Sequence, residues 1–138
     1  MSNSKAIKLN WKGEGLLFEG FGGAPDTPSI ILDGAVREGP TPMDALLIAC
    51  AGCAGADVVS ILEKMKVTLD SVSIEITGDR KTEHPKRYTA LKYLFRIAGE
   101  GLDASKAERA ANLSLEKYCS VLHSLNPDIQ LEHEIELA

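Results

Sequence analysis

Ile7, Leu9 and Trp11 alternate with Lys8, Asn10 and Lys12, the two-residue period of a strand with one apolar face. Gly13-Glu14-Gly15 interrupts that period and Leu16-Leu17-Phe18 follows, so the chain is predicted to open with a β-hairpin. Residues 20–28 are rich in Gly and Pro and read as a loop, with neither a GxGxxG nor a Gly-Lys-Ser/Thr ending to cradle a phosphate. Residues 29–33 supply a third short strand. Thr41-Pro42-Met43-Asp44 then has the form of a helix start: Thr41 can cap, Pro42 suits the first helical position, and Asp44 sets a carboxylate near the free N–H groups. The helix is expected to run to about Lys66. Its first half, residues 45–56, is apolar on every face, which predicts burial on every face.

Val72, Ile74 and Ile76 alternate with Ser73, Glu75 and Thr77 as a further strand. Residues 78–87 form a charged turn whose Arg80, Lys81, Lys86 and Arg87 read as a solvated tip. Leu91, Tyr93, Phe95 and Ile97 make the apolar face of the next strand. Ser105-x-x-Glu108 has the pattern of a capping box and opens a helical region that ends near Asn126-Pro127, with a break around residues 113–118. Ile129, Leu131, Ile135 and Leu137 close the chain as a strand with a Glu-rich outer face. His133 falls on its inner face, as a core histidine with its polar needs met. Strands and helices are segregated along the chain, which predicts an α+β fold.

A length of 138 residues makes one domain, 1–138, the expectation. A net charge of −5 lacks the basic footprint of a nucleic-acid binder. The uncharged stretch of twelve residues at 45–56 is shorter than the ~20 a membrane span needs, and residues 1–8 carry no apolar run of signal-peptide length. A cytoplasmic protein with neither a nucleic-acid nor a membrane partner is therefore expected. So small a chain has few other helices to cover an all-apolar one, so a homodimer with a core-like interface is expected too.

The count of three cysteines is odd, which disfavours a structural disulfide framework. Cys50 and Cys53 lie about 60° apart around their helix axis. Cys53 is well past the first turn, so the helix dipole does not activate it. Cys119 and His123 share one helical face and, with Cys50 and Cys53, make a formal Cys3His set. Zinc-binding CxxC pairs usually sit in turns and this one is inside a helix, so no metal site is expected. Composition and spacing alone favour three thiols acting as small core hydrophobes.

A resemblance changes that weighting. The stretch from Pro40 through Thr41-Pro42-Met43-Asp44 to Cys50-Ala51-Gly52-Cys53 resembles the central-helix motif of the OsmC/Ohr family, and Glu116-Lys117-Tyr118-Cys119-Ser120-Val121 resembles its second cysteine motif. The strand pair with Pro85 and the Gly99-Glu100-Gly101-Leu102-Asp103 turn fit the same pattern. The resemblance implies an intertwined α+β homodimer with its active site at the interface. It implies a thiol-dependent peroxidase that reduces organic hydroperoxides or hydrogen peroxide with no metal or organic cofactor, and with an external dithiol as reductant. Carried over, Cys53 matches the peroxidatic cysteine and Cys119 the resolving one. The family's reductases carry a Glu directly after the helix-opening Pro, where this chain has Met43, and use an Arg from N-terminal strands. Residues 1–36 contain no Arg. Lys12 and Arg37 are the candidate substitutes, and a family member that binds a small apolar or thiol-reactive ligand at the same interface is the alternative.

Overall fold

The computed structural model describes residues 3–138, which form two compact units: one up to Leu46 and one from Leu47 onward. The first unit is an antiparallel meander of β1 (Lys8–Trp11), β2 (Leu17–Phe21) and β3 (Ile30–Asp33). The Lys12 N–H closes the expected hairpin on the Leu17 carbonyl at 2.9 Å, and the Trp11 indole N–H donates to Gly15 at 3.1 Å. β2 extends through Gly20 and Phe21, where the composition predicts loop. Ladder pairing with Leu9 on one side and Ile30 on the other holds Gly20 in the strand. The apolar alternation of β1 is not half-buried here: Ile7, Leu9 and Trp11 are all exposed, Trp11 at 59%. Asp33 is buried and accepts the backbone N–H groups of Ala35, Arg37 and Glu38 at 2.8, 3.3 and 3.2 Å. The Ala35 N–H is the main influence holding its carboxyl below the usual range, with burial acting against it.

The helix α1 (Pro42–Lys64) starts as its sequence dictates. The Asp44 N–H donates to Thr41 Oγ1 at 3.1 Å, and the Thr41 N–H donates back to Asp44 Oδ2 at 3.2 Å, a capping box with Asp in the role of Glu. It ends in a Schellman arrangement: the Val67 N–H reaches the Leu62 carbonyl and the Lys66 N–H the Glu63 carbonyl, both at 3.1 Å. Lys66 takes the left-handed conformation (φ 68°) that ends the helix two residues before the expected Lys66 boundary. At 23 residues α1 is long and apolar enough to cross a membrane, a test that the core helices of soluble proteins also pass. Burial does not extend around it. Only Cys50, Ala54, Val58 and Leu62, one residue per turn, are fully buried, and Ile48 stays 59% exposed.

The second unit is built on β4 (Thr68–Arg80), β5 (Tyr88–Glu100) and β6 (Gln130–Leu137), in the order β4-β5-β6. β4 and β5 are antiparallel and β5 and β6 parallel. A parallel pair needs a crossover, supplied by α2 (Ala104–Leu113), a π-helical turn (Ser114–Tyr118) and α3 (Ser120–His123). The break expected around residues 113–118 is that turn. Asp103, not Ser105, caps α2: its carboxylate accepts the Lys106 N–H at 2.8 Å, two residues before the predicted box. On β5 the predicted face is the core face, with Leu91, Tyr93, Phe95 and Ile97 all buried. His133 of β6 bonds Glu108 of α2 at 2.6 Å and meets the Phe95 ring edge-on, so its polar side is satisfied. The basic turn is structural in part. Arg80 Nε donates to the Lys86 carbonyl at 2.7 Å, and Arg87 makes a bidentate pair with Asp128 at 2.9 and 2.7 Å.

Gly78 of β4 leaves room for an aromatic ring. A Cβ there would lie 2.7 Å from Cδ1 and Cε1 of Tyr88 and 3.2 Å from Cδ2 of Leu91, both buried side chains. Gly78→Ala is therefore expected to overpack this end of the sheet and lower stability by about 1–3 kcal/mol in urea unfolding. An unchanged midpoint would show that Tyr88 can swing clear.

Candidate functional site

The thiols converge through two elements of the second unit. α1 carries Cys50 in its buried stripe and Cys53 off it, so Cys50 is fully buried and Cys53 half-buried. Cys119 follows the π-helical turn in extended conformation (φ −72°, ψ 97°) and caps α3. Its N–H returns to the Ser114 carbonyl at 2.8 Å. Cys119 is fully buried and interacts electrostatically with Cys53 and Cys50. The two cysteines that the family resemblance singles out thus interact electrostatically, and all three thiols are free.

A second tie fixes this pairing. The Ser114 hydroxyl, fully buried, donates to Asp57 Oδ2 at 2.8 Å. Asp57 stands one helical turn beyond Cys53, so it lies on nearly the same face of α1. The wide π-helical turn and the Ser114–Asp57 bond together hold the segment bearing Cys119 against the Cys53 side of the helix. π-helical turns of this kind recur at functional sites.

Tyr93 completes the cluster from the sheet. Its side chain is fully buried, its ring stacks on Phe95 at a centroid distance of 5.8 Å, and its hydroxyl makes no completed hydrogen bond. That hydroxyl faces Cys50 and interacts electrostatically with Cys119 and Cys53. Asp57, Ser114 and Tyr93 are absent from the sequence-based site. Asp57 had a visible signal, a carboxylate in the middle of an apolar helix, whereas Tyr93 simply continues the apolar face of its strand.

Burial dominates the titration of the buried thiols. It pushes Cys119 up to about 11 from an ordinary 9.0, with the Leu122 N–H acting against it and the contact with Cys53 adding to it. Cys50 is raised for the same first reason, while the Tyr93 hydroxyl pulls it back. At neutral pH Cys119 is therefore a thiol and not a thiolate. The half-buried Cys53 is the most exposed of the three thiols.

The remaining candidates lie elsewhere. His123 Nε2 is 3.1 Å from the Leu115 carbonyl, and among the described residues no three His, Cys, Asp or Glu side chains converge to hold a metal. Within the first unit, Lys12 pairs with Glu19 at 3.4 Å and the Arg37 N–H bonds Asp33. Asp44 Oδ2 accepts the Thr41 N–H at the start of α1.

The sequence pattern of the family described as OsmC-like protein matches residues 34–134. The chain belongs to the OsmC-like family. It is 34% identical over 131 residues to Protein YhfA of Escherichia coli strain K12, covering 94% of this chain and 96% of that protein. A hypothetical protein from Aquifex aeolicus VF5 has a similar structure over 99% of this chain and 98% of its own, with a TM-score of 0.87 and 28% identity. An organic hydroperoxide resistance protein OsmC from Legionella pneumophila matches over 96% of both chains with a TM-score of 0.65 and 14% identity, a likeness of fold. The α+β class expected from the sequence is that of these OsmC-like structures.

The raised Cys119 thiol has a consequence for stability. Because its folded pKa lies above the unfolded one, its contribution is complete below about 9.0 and is lost as pH climbs through about 11. Under reducing conditions the chain is expected to lose on the order of 2 kcal/mol across that window relative to Cys119→Ala. Parallel alkaline limbs in urea unfolding of the two proteins would refute the assignment.

Proposed function

We propose that this OsmC-like protein is a thiol-dependent peroxidase that reduces organic hydroperoxides or hydrogen peroxide. The observation that carries the reading is a half-buried Cys53 in electrostatic interaction with a fully buried Cys119. The Cys53 thiolate attacks the terminal oxygen of the peroxide, the O–O bond breaks, and the alcohol or water leaves with a proton. Cys53 is then a sulfenic acid. Cys119 attacks its sulfur, the S–O bond breaks, and water leaves as the Cys53–Cys119 disulfide forms. An external dithiol restores both thiols by exchange. Burial becomes an advantage at the second step, since the resolving thiol is held against its target and shielded from competing reactions.

A second reading rests on the helix start. Met43 stands where the family's reductases carry Glu, and Asp44 is committed to the Thr41 N–H. On that reading the chain binds a small apolar or thiol-reactive ligand at the same place without efficient turnover. Steady-state consumption of tert-butyl hydroperoxide with a dithiol separates the two. The peroxidase reading expects turnover that Cys53→Ser abolishes and Cys119→Ser slows, with a Cys53–Cys119 link in peptide maps. Turnover equal to that of Cys53→Ser would favour the ligand-binding reading.

The same proposal takes the working unit to be a homodimer in the cytoplasm. Its support is the open apolar groove that Ile48, Ala51, Gly52, Gly55 and Val59 of α1 form with Ile74 of β4. A second copy would cover that face with apolar surface of the kind obligate interfaces bury. Sedimentation at micromolar concentration is expected to give a dimer, and a folded monomer there would overturn this part of the reading.

A further inference from the structure

Two features of the thiol cluster have no place in the two-cysteine cycle: the fully buried Cys50, and the Tyr93 hydroxyl that interacts with it. The Tyr93 ring is already held by its stacking on Phe95, and that contact needs no hydroxyl. A buried O–H without a completed hydrogen bond weakens the reduced fold, where a phenylalanine would pack as well. The hydroxyl does meet a strong acceptor if negative charge forms on Cys50. Burial and the neighbouring thiols push its own ionisation well above the usual range, so it remains a donor beside that charge.

We propose that Cys50 is a third redox thiol, which takes Cys119 over from Cys53 by disulfide exchange, with the Tyr93 hydroxyl as the hydrogen-bond donor to the Cys50 thiolate. The proposal rests on the peroxidase reading only for the origin of the first disulfide. Cys50 gives up its proton and its sulfur attacks Sγ of Cys119 in the Cys53–Cys119 disulfide. The Cys50–Cys119 bond forms as the Cys53–Cys119 bond breaks, and the electron pair leaves on Cys53, which takes up a proton. No net oxidation occurs: one thiol and one disulfide become another thiol and another disulfide.

Burial sets the direction of the exchange. Cys50 and Cys119 are the fully buried members of the cluster, and both are held protonated by desolvation. Thiols of high pKa are the poorer leaving groups, and as a disulfide they no longer present an ionisable group to an apolar surrounding. The exchange stores the oxidising equivalent in the core and returns the half-buried Cys53 to the thiol state, ready for a second peroxide. Tyr93 acts through Cys50 as a positioning residue.

The reduced full chain, given tert-butyl hydroperoxide without a reductant, is quenched in acid at intervals and mapped by mass spectrometry. The Cys53–Cys119 link is expected first and the Cys50–Cys119 link after it, with Cys53 then trapped by dimedone as a new sulfenic acid. Peroxide uptake should reach two equivalents per chain, and one in Cys50→Ser. Tyr93→Phe should keep the first step and a thermal midpoint no lower than the parent's, while slowing the exchange by about tenfold or more. Diamide forms disulfides without peroxide and separates the two proposals. The same order of links with diamide but none with peroxide would keep the exchange and end the peroxidase reading. A Cys53–Cys119 link that persists beside a free Cys50 under both oxidants overturns the exchange, and an unchanged exchange rate in Tyr93→Phe overturns the role of its hydroxyl.

Discussion

The second unit depends on how one apolar helix divides its faces. α1 has apolar residues all round, yet only the stripe Cys50, Ala54, Val58 and Leu62 is fully buried. A four-residue step drifts slowly around the axis, so these four residues form one buried stripe along the helix. Cys50 and Ala54 are the small members of the stripe, at the end where the Tyr93 hydroxyl interacts with the thiols, and Val58 and Leu62 are its larger members. Cys53 lies about 60° around the axis from Cys50 and about 100° from Ala54, off the stripe, and it is half-buried. The difference in exposure between the two α1 cysteines follows from the helical period alone.

The second cysteine segment needs a different device. A regular α-helix continued from α2 would carry position 119 around the axis at 100° per residue, with no reason to stop against Cys53. The π-helical turn resets that phase over residues 114–118 and releases Cys119 into an extended conformation. Its buried anchor is the hydroxyl of Ser114 on Asp57. A carboxylate inside an apolar helix would be a liability unless satisfied, and here its partner is the residue that opens the turn. One hydrogen bond therefore meets the needs of Asp57 and Ser114 while registering two segments far apart in sequence.

Much of this was legible in the sequence where a rule acts locally. The period of β5, the Thr41-Pro42 start of α1 and the interruption before Cys119 were all readable, because each depends on residues within one or two turns. The pairing of Cys53 with Cys119 rested on family resemblance, since no spacing argument joins residues in separate elements. Three features were out of reach for a physical reason. Gly20 joined a strand because partners on both sides paired with it, a tertiary effect that overrides composition. Asp103 took the cap from Ser105 because cap choice depends on where the preceding turn leaves the chain. Tyr93 reads as one more apolar residue until the thiols beside its hydroxyl are placed.

Burial has opposite consequences for the thiols and for the bonds they can form. Desolvation disfavours a thiolate, so Cys50 and Cys119 resist ionisation, and a solvent-borne reagent has little access to them. A disulfide is neutral and apolar, so the same surroundings that suppress the thiolate favour the linked product once a partner sulfur has been activated at the more exposed position. Reactivity and storage are thereby assigned to different depths of one cluster. The Tyr93 hydroxyl lies deep enough to moderate that contrast, and its electrostatic neighbours are the cysteine sulfurs. Its partner is therefore a group whose charge can change. That is the property expected of a donor kept for chemistry, because a donor kept for stability would have been satisfied in the resting fold.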